Sequence, residues 1–236
     1  TAVGTGVNTH REFGTIVTRI LSGNSGLIFT PADNYFHAIS AQDTAVSISG
    51  NLKTTAVNLS KISNDIRWLS SGPLNGLNEI HLPELQKGSS IMPGKVNPVI
   101  PEAVLMGCTQ VIGNDTTITL AAQSGNFQLN TMLPLIGHTL IQSIQLLTTC
   151  STSLADKVIK GMQINHAKIE HSVKRNPMLV TALTSLIGYE KSAEIAKKAH
   201  AENRTVLDVA EELTDIKEAV LIEMLEPRAI VGDTKI

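Results

Sequence analysis

The chain has 236 residues, 42% of them hydrophobic but only 3% aromatic, so it can form a sizeable core that must be built from aliphatic side chains. Nineteen Lys and Arg against twenty-one Asp and Glu give a net charge of −2, which excludes a nucleic-acid or membrane-surface partner held by bulk positive charge. The two cysteines, Cys108 and Cys150, form neither a metal-ligand spacing nor a disulfide framework and point to a reducing compartment.

The chain opens without Met inside a Gly-rich run, Thr1-Ala2-Val3-Gly4-Thr5-Gly6, and is read as the rear part of a longer protein; no stretch has the form of a signal peptide. The run lacks the Gly-Lys-Ser/Thr ending of a phosphate loop, so nucleotide binding is not expected. A first long helix is predicted over 38–70 from the helical spacing of Ile39, Val46, Leu52, Val57, Leu59, Ile62, Ile66 and Leu69, with Gly72-Pro73 ending it. Asp65 and Arg67, two apart, do not share a helix face and are expected to order loops at the helix end. A Gly- and Pro-rich loop follows over 73–101. A second helix is predicted over 102–122 and a third over 132–158, broken or tilted near Pro134 and Gly137.

Between Ala103 and Ala155 the only formal charge is Asp115. Thr, Gln, Asn and Ser interrupt this stretch too often for a membrane span. Such helices read as buried on all sides, which burial between subunits explains best, so an oligomer built on a helix bundle is expected. Asp115 should then pair across the bundle, because an unpaired buried carboxylate is costly. Asn8, Asn114 and Asn126 are expected to satisfy backbone or loop groups. After Gly161 the helices become short and amphipathic, over 167–174, 178–186, 189–202, 205–212 and 216–225. The expected fold is all-α: a long-helix bundle domain over 1–164, then a small helical C-terminal domain over 165–236.

The chemistry concentrates in Gly88-Ser89-Ser90-Ile91-Met92-Pro93-Gly94-Lys95-Val96-Asn97-Pro98, followed by Glu102. Gly88 and Gly94 give hinge freedom, and Pro93 and Pro98 limit where the loop bends. Lys95 supplies charge while Ser90 and Asn97 can donate hydrogen bonds, a set able to hold a carboxylate. A unit charge pair at 4 Å in a partly shielded site is worth about 4 kcal/mol before desolvation. Glu102 opens the next helix, where it can complement the helix N-terminus or orient another catalytic group. Spacing alone does not decide between such a site and a plain surface loop with an incidental lysine.

This motif resembles the signature of the fumarase/aspartase superfamily. The similarity extends to Thr1 through His10, to Asn64-Asp65-Ile66-Arg67-Trp68-Leu69-Ser70-Ser71-Gly72-Pro73, to Gly113-Asn114-Asp115 and to Ser124 through Asn130. The resemblance implies a homotetramer with a long-helix core and active sites shared between three subunits. It also implies reversible anti addition to fumarate through an aci-carboxylate intermediate, here hydration to L-malate in the citric acid cycle. The partner is then a small-molecule substrate, and neither metal nor organic cofactor is expected. Two cysteines are also too few for the cluster of an iron–sulfur fumarase. By the same resemblance Ser89 is the base, Lys95 and Asn97 bind the substrate carboxylate with Ser90 and the Val96 backbone beside them, and Glu102 pairs with a catalytic histidine from another subunit.

In relatives that histidine and a Ser-Ser-Asn segment lie upstream of Thr1. The seven histidines present do not replace it: His10 and His81 are expected in loops and His138 on a buried helix, each structural or solvated. The segment alone is therefore expected to be inactive. Gly94, where aspartases usually carry Ala, favours the fumarase branch, as do Asn126-Phe127 and the stretches 179–183, 187–191 and 193–200. Residues 76–86 and 115–117 read somewhat like aspartase, and Leu74 stands where many relatives have Arg. Ammonia-lyase activity is the alternative, and a non-catalytic structural relative of the lens type a further one. The expected setting is bacterial cytoplasm or an organelle matrix.

Overall fold

The computed structural model describes residues 2–231, so Thr1 of the N-terminal motif and residues 232–236 lie outside the described residues. The chain divides into two compact units, one formed by residues up to Ser71 with Leu82–Met162, the other by Gly72–His81 with residues from Gln163 on.

The first unit begins with α1, Phe13–Ser25, which ends where Gly26 turns left-handed (φ 72°) and its N–H returns to the Ser22 carbonyl at 3.0 Å. The short α2, Tyr35–Ser40, is capped by Asn34, whose Oδ1 accepts from the His37 N–H at 3.1 Å. Ala41 then adopts an extended conformation (φ −90°, ψ 138°) before α3, Asp43–Leu69. The single helix expected over 38–70 is thus two, because apolar period registers which residues face inward but not a local break between them.

Three long helices build the core: α3, α4 (Val99–Ala122) and α5 (Leu133–Lys157), each packed on the other two. With 24 to 27 residues apiece they run about 36–40 Å at 1.5 Å per residue. Their buried positions recur at bundle spacing. On α4 these include Val104, Cys108, Val111, Asp115 and Ile118; on α5, Ile136, Thr139, Ser143, Leu147 and Leu154. On α3 the buried residues are Ser49, Ala56 and Ser63, whose small side chains allow close approach of its neighbours, and Ile66 near the helix end. α5 is not broken near Pro134 or Gly137. Pro134 sits in the first turn, where its missing N–H would have had no intrahelical acceptor.

Asp115 of α4 reaches α3, accepting from Ser49 Oγ at 2.8 Å and from Lys53 Nζ at 2.5 Å. Asn114, expected to serve backbone or loop groups, instead joins side chains: Nδ2 donates to Gln142 Oε1 and Ser143 Oγ of α5, and Oδ1 accepts from Gln110. The outward faces of these helices are apolar and exposed in the single chain, with Met106 and Leu120 on α4 and Leu135, Ile141 and Ile144 on α5. The same face carries His138, which is exposed rather than buried.

In the second unit β1, Ile80–His81, pairs antiparallel with β2, Gln163–Ile164, so His81 lies on a strand rather than in a loop. Asn165 extends the pairing, its N–H donating to the Glu79 carbonyl at 2.8 Å and its Nδ2 to the Asn78 carbonyl at 2.9 Å, while its Oδ1 caps α6, His166–Lys174. A 3₁₀ run, Pro177–Leu183, takes the place of the first part of the helix expected over 178–186. α7, Thr184–Glu202, is interrupted at Gly188 (φ 78°, ψ 166°). Then follow α8 (Val206–Leu213), α9 (Glu218–Met224) and α10 (Pro227–Val231). Val180, Leu183, Ile195, Val209 and Leu221 centre a core of the unit's own. Among the described residues no helix is long and apolar enough to cross a membrane.

Candidate active-site loop

The chain leaves α3 at Ser70 and enters α4 at Val99. Just before α4 it makes an excursion whose two ends are tied together. Asn97 Nδ2 donates to the Gly88 carbonyl at 2.5 Å. A Cβ on residue 88 would run into the Lys95 carbonyl, so only glycine permits this approach. The apex is a β-turn over Met92–Lys95, closed by the Lys95 N–H on the Met92 carbonyl at 3.3 Å. Pro93 takes its second position and Gly94, at φ 79°, its third, the residue pattern and φ sign of a type II turn.

Within the excursion Ser89 Oγ accepts two backbone hydrogen bonds, from Ile91 N–H at 3.2 Å and Met92 N–H at 3.1 Å. Paired backbone donors converging on one oxygen stabilise negative charge there. Ser89 and Asn97 are half-buried, while Ser90, Lys95 and Val96 lie on the exposed part of the loop. The structure therefore joins Ser89 and Asn97 through the Gly88 junction and presents Lys95 to solvent. The crevice beside Asn97, lined by Leu82, Pro83, Pro98 and Lys157 among others, holds only about 10 Å³. A larger cleft of about 420 Å³, lined by His10, Phe13, Tyr35 and neighbours, contains none of the loop's residues. Among the described residues no three His, Cys, Asp or Glu side chains converge as a metal site would require.

Glu102 lies in the first turn of α4, its N–H bonded to the Pro98 carbonyl at 3.1 Å. Its carboxylate faces Arg67 in the last turn of α3, with Nη2 to Oε1 at 3.8 Å. The contact had no warning in the spacing of either residue. Arg67 does not order a loop as expected but reaches the neighbouring helix, and Asp65 pairs with Lys61 four residues back on its own helix. His10 is exposed, its Nδ1 accepting from the Glu12 N–H at 3.2 Å.

Residues 1–113 match a family model described as lyase, and residues 179–232 one described as the fumarase C C-terminus. Over 232 residues the chain is 55% identical to "fumarate hydratase class II 2" of Pseudomonas aeruginosa, an alignment covering 98% of this chain and 51% of that protein. The chain carries a lyase domain and a fumarase C C-terminal domain, and its relatives are class II fumarate hydratases. Solved structures agree. A class II fumarase from Schistosoma mansoni superposes with a TM-score of 0.88 at 37% identity, over 99% of this chain and 52% of that one. A fumarate lyase:delta crystallin from Brucella melitensis bound to cobalt does so with a TM-score of 0.90 at 44% identity, over 96% and 49%. The chain spans about half the length of the class II fumarate hydratases it matches, and the all-α fold expected from sequence is shared with these solved structures.

Proposed function

We propose that the full-length protein carrying this sequence hydrates fumarate reversibly to L-malate, and that this chain supplies its catalytic loop, residues 88–97, together with Glu102. The observation that carries the reading is the environment of Ser89 Oγ. A neutral serine is a poor base, and the two backbone N–H groups directed at its oxygen are what an alkoxide needs to persist. In the elimination direction the Ser89 alkoxide takes the proton from the carbon beside one malate carboxylate. The bonding pair moves into that carboxylate, giving an aci-carboxylate dianion that Lys95 and Asn97 hold, with Ser90 and the Val96 backbone alongside. Collapse of the dianion forms the double bond and expels the hydroxyl, which leaves as water after protonation by a histidine of another subunit that Glu102 orients. The positive charge comes from Lys95 and backbone dipoles, so the scheme calls for no metal or organic cofactor.

The working unit is proposed to be a homotetramer whose sites draw on three subunits. Two features support this: the uncharged, exposed apolar faces of α4 and α5, which match an interface better than a solvated surface, and the crevice of only about 10 Å³ beside Asn97, too small for a dicarboxylate. The division into a bundle domain over 1–164 and a small C-terminal domain over 165–236 is part of the same proposal, as are the citric acid cycle and the cytoplasm, or an organelle matrix, as its setting. The names of the relatives favour the hydratase over an ammonia-lyase.

Fumarate formation followed by ultraviolet absorbance, from L-malate and separately from L-aspartate, tests the reading in the full-length protein. Turnover of malate alone is expected. Ser89→Ala should then lower kcat by about 10²–10⁴-fold, the usual contribution of a general base. Turnover of aspartate alone, or a Ser89→Ala loss below tenfold, would overturn it.

A further inference from the structure

Arg67 and Glu102 belong to different helices, and their side chains meet where α3 ends and α4 begins. The Arg67 guanidinium is held at one corner by its own helix, Nη1 donating to Asn64 Oδ1 at 3.1 Å. A second corner, Nη2, lies 3.8 Å from Glu102 Oε1. The third nitrogen, Nε, is buried and has no partner among the described residues. Buried donors without acceptors are rare in folded proteins, because the hydration they lose is not replaced. No other carboxylate among the described residues pairs with Arg67. At 3.8 Å the contact is an ion pair rather than a hydrogen bond, so it aims the carboxylate while leaving both oxygens free to accept from a third group.

We infer that Arg67 is a positioning residue for Glu102, fixing where that carboxylate presents itself to the group it acts on. The inference rests on the hydratase reading above and on the role given there to Glu102. The guanidinium suits the task because it is planar and can hold Asn64 and face Glu102 at once, which a lysine ammonium cannot reproduce. It also sits at the C-terminal turn of α3, where the helix dipole favours a cation.

The test uses the full-length assembled enzyme and steady-state kinetics on malate for Arg67→Met, Arg67→Lys, Glu102→Gln and the double variant Arg67→Met/Glu102→Gln, with assembly checked by size-exclusion chromatography. Misplacing a reacting group by about 1 Å can cost about a hundredfold in rate. Arg67→Met should therefore lower kcat by about ten- to a hundredfold with KM little changed, and Arg67→Lys should recover only part. The double variant should be no slower than Glu102→Gln alone, since Arg67 then has nothing left to position. Arg67→Gln, which keeps a hydrogen-bond donor near the position of Nε while removing the charge, carries the same comparison should the Met variant fail to assemble. Undiminished kcat in the Arg67 variants, or a double variant that loses the product of the two single losses, would overturn the inference while leaving the hydratase reading intact. A parent that does not turn over malate, or a fully active Glu102→Gln, would instead sink the reading and this inference with it.

Discussion

Replacing Asp115 by Ala probes the only formal charge between Ala103 and Ala155. The carboxylate is 7% exposed and accepts from Ser49 and Lys53, both on α3. Removing it leaves Ser49 Oγ, itself 3% exposed, as a buried donor without an acceptor, at a cost of about 1–3 kcal/mol. Lys53 is nearly half exposed and can turn to solvent, so its loss adds at most about 1 kcal/mol. The expected destabilisation is about 2–3 kcal/mol, read from denaturant midpoints of parent and variant. The pH dependence has a definite sign. Burial alone pushes the Asp115 carboxyl upward, but the hydrogen bonds from Lys53 and Ser49, with the Lys53 charge, outweigh it and hold the group below its ordinary value. A depressed native pKa makes the contribution full above the unfolded value of about 3.9, and it is lost as pH falls through the lower native value. The stability gap between parent and variant should therefore be constant from pH 8 to 5 and shrink below about pH 4. A variant within about 0.5 kcal/mol of the parent at pH 7 would refute the pairing as a stabilising contact.

Two further outcomes follow from local geometry. Gly88→Ala places a Cβ on the Lys95 carbonyl and must open the junction that Asn97 closes, so kcat/KM on malate should fall at least about tenfold with little change in thermal midpoint; unchanged kinetics would mean the working enzyme does not keep that junction. Thr205→Ala removes a capping box in which Thr205 Oγ1 accepts from the Asp208 N–H at 3.1 Å and Asp208 accepts in return from the Thr205 N–H at 3.2 Å. It should destabilise the second unit by about 1 kcal/mol, measured by hydrogen exchange of α8 amides, and exchange no faster than in the parent would count against the cap.

The sequence by itself determined the family resemblance, because its most telling feature is contiguous. From Gly88 to Pro98 the order of residues is the motif, and the turn chemistry of Pro93-Gly94 is written in neighbouring positions. It also determined that long helices dominate, because apolar spacing along α3, α4 and α5 is a local pattern. Even the pairing of Asp115 was legible as a need, since a lone charge in a neutral helix requires a partner, though not which partner. Tertiary structure alone decided the rest. Ser49 and Lys53 meet Asp115 across more than sixty positions, Arg67 meets Glu102 across helices, and residues 80–81 join the second unit by pairing with 163–164. The break at Ala41 and the interruption at Gly188 likewise lie below the resolution of hydrophobic period. A side chain's local neighbours follow from the order of residues, whereas its distant partners exist only once helix packing has set which faces meet and at what height.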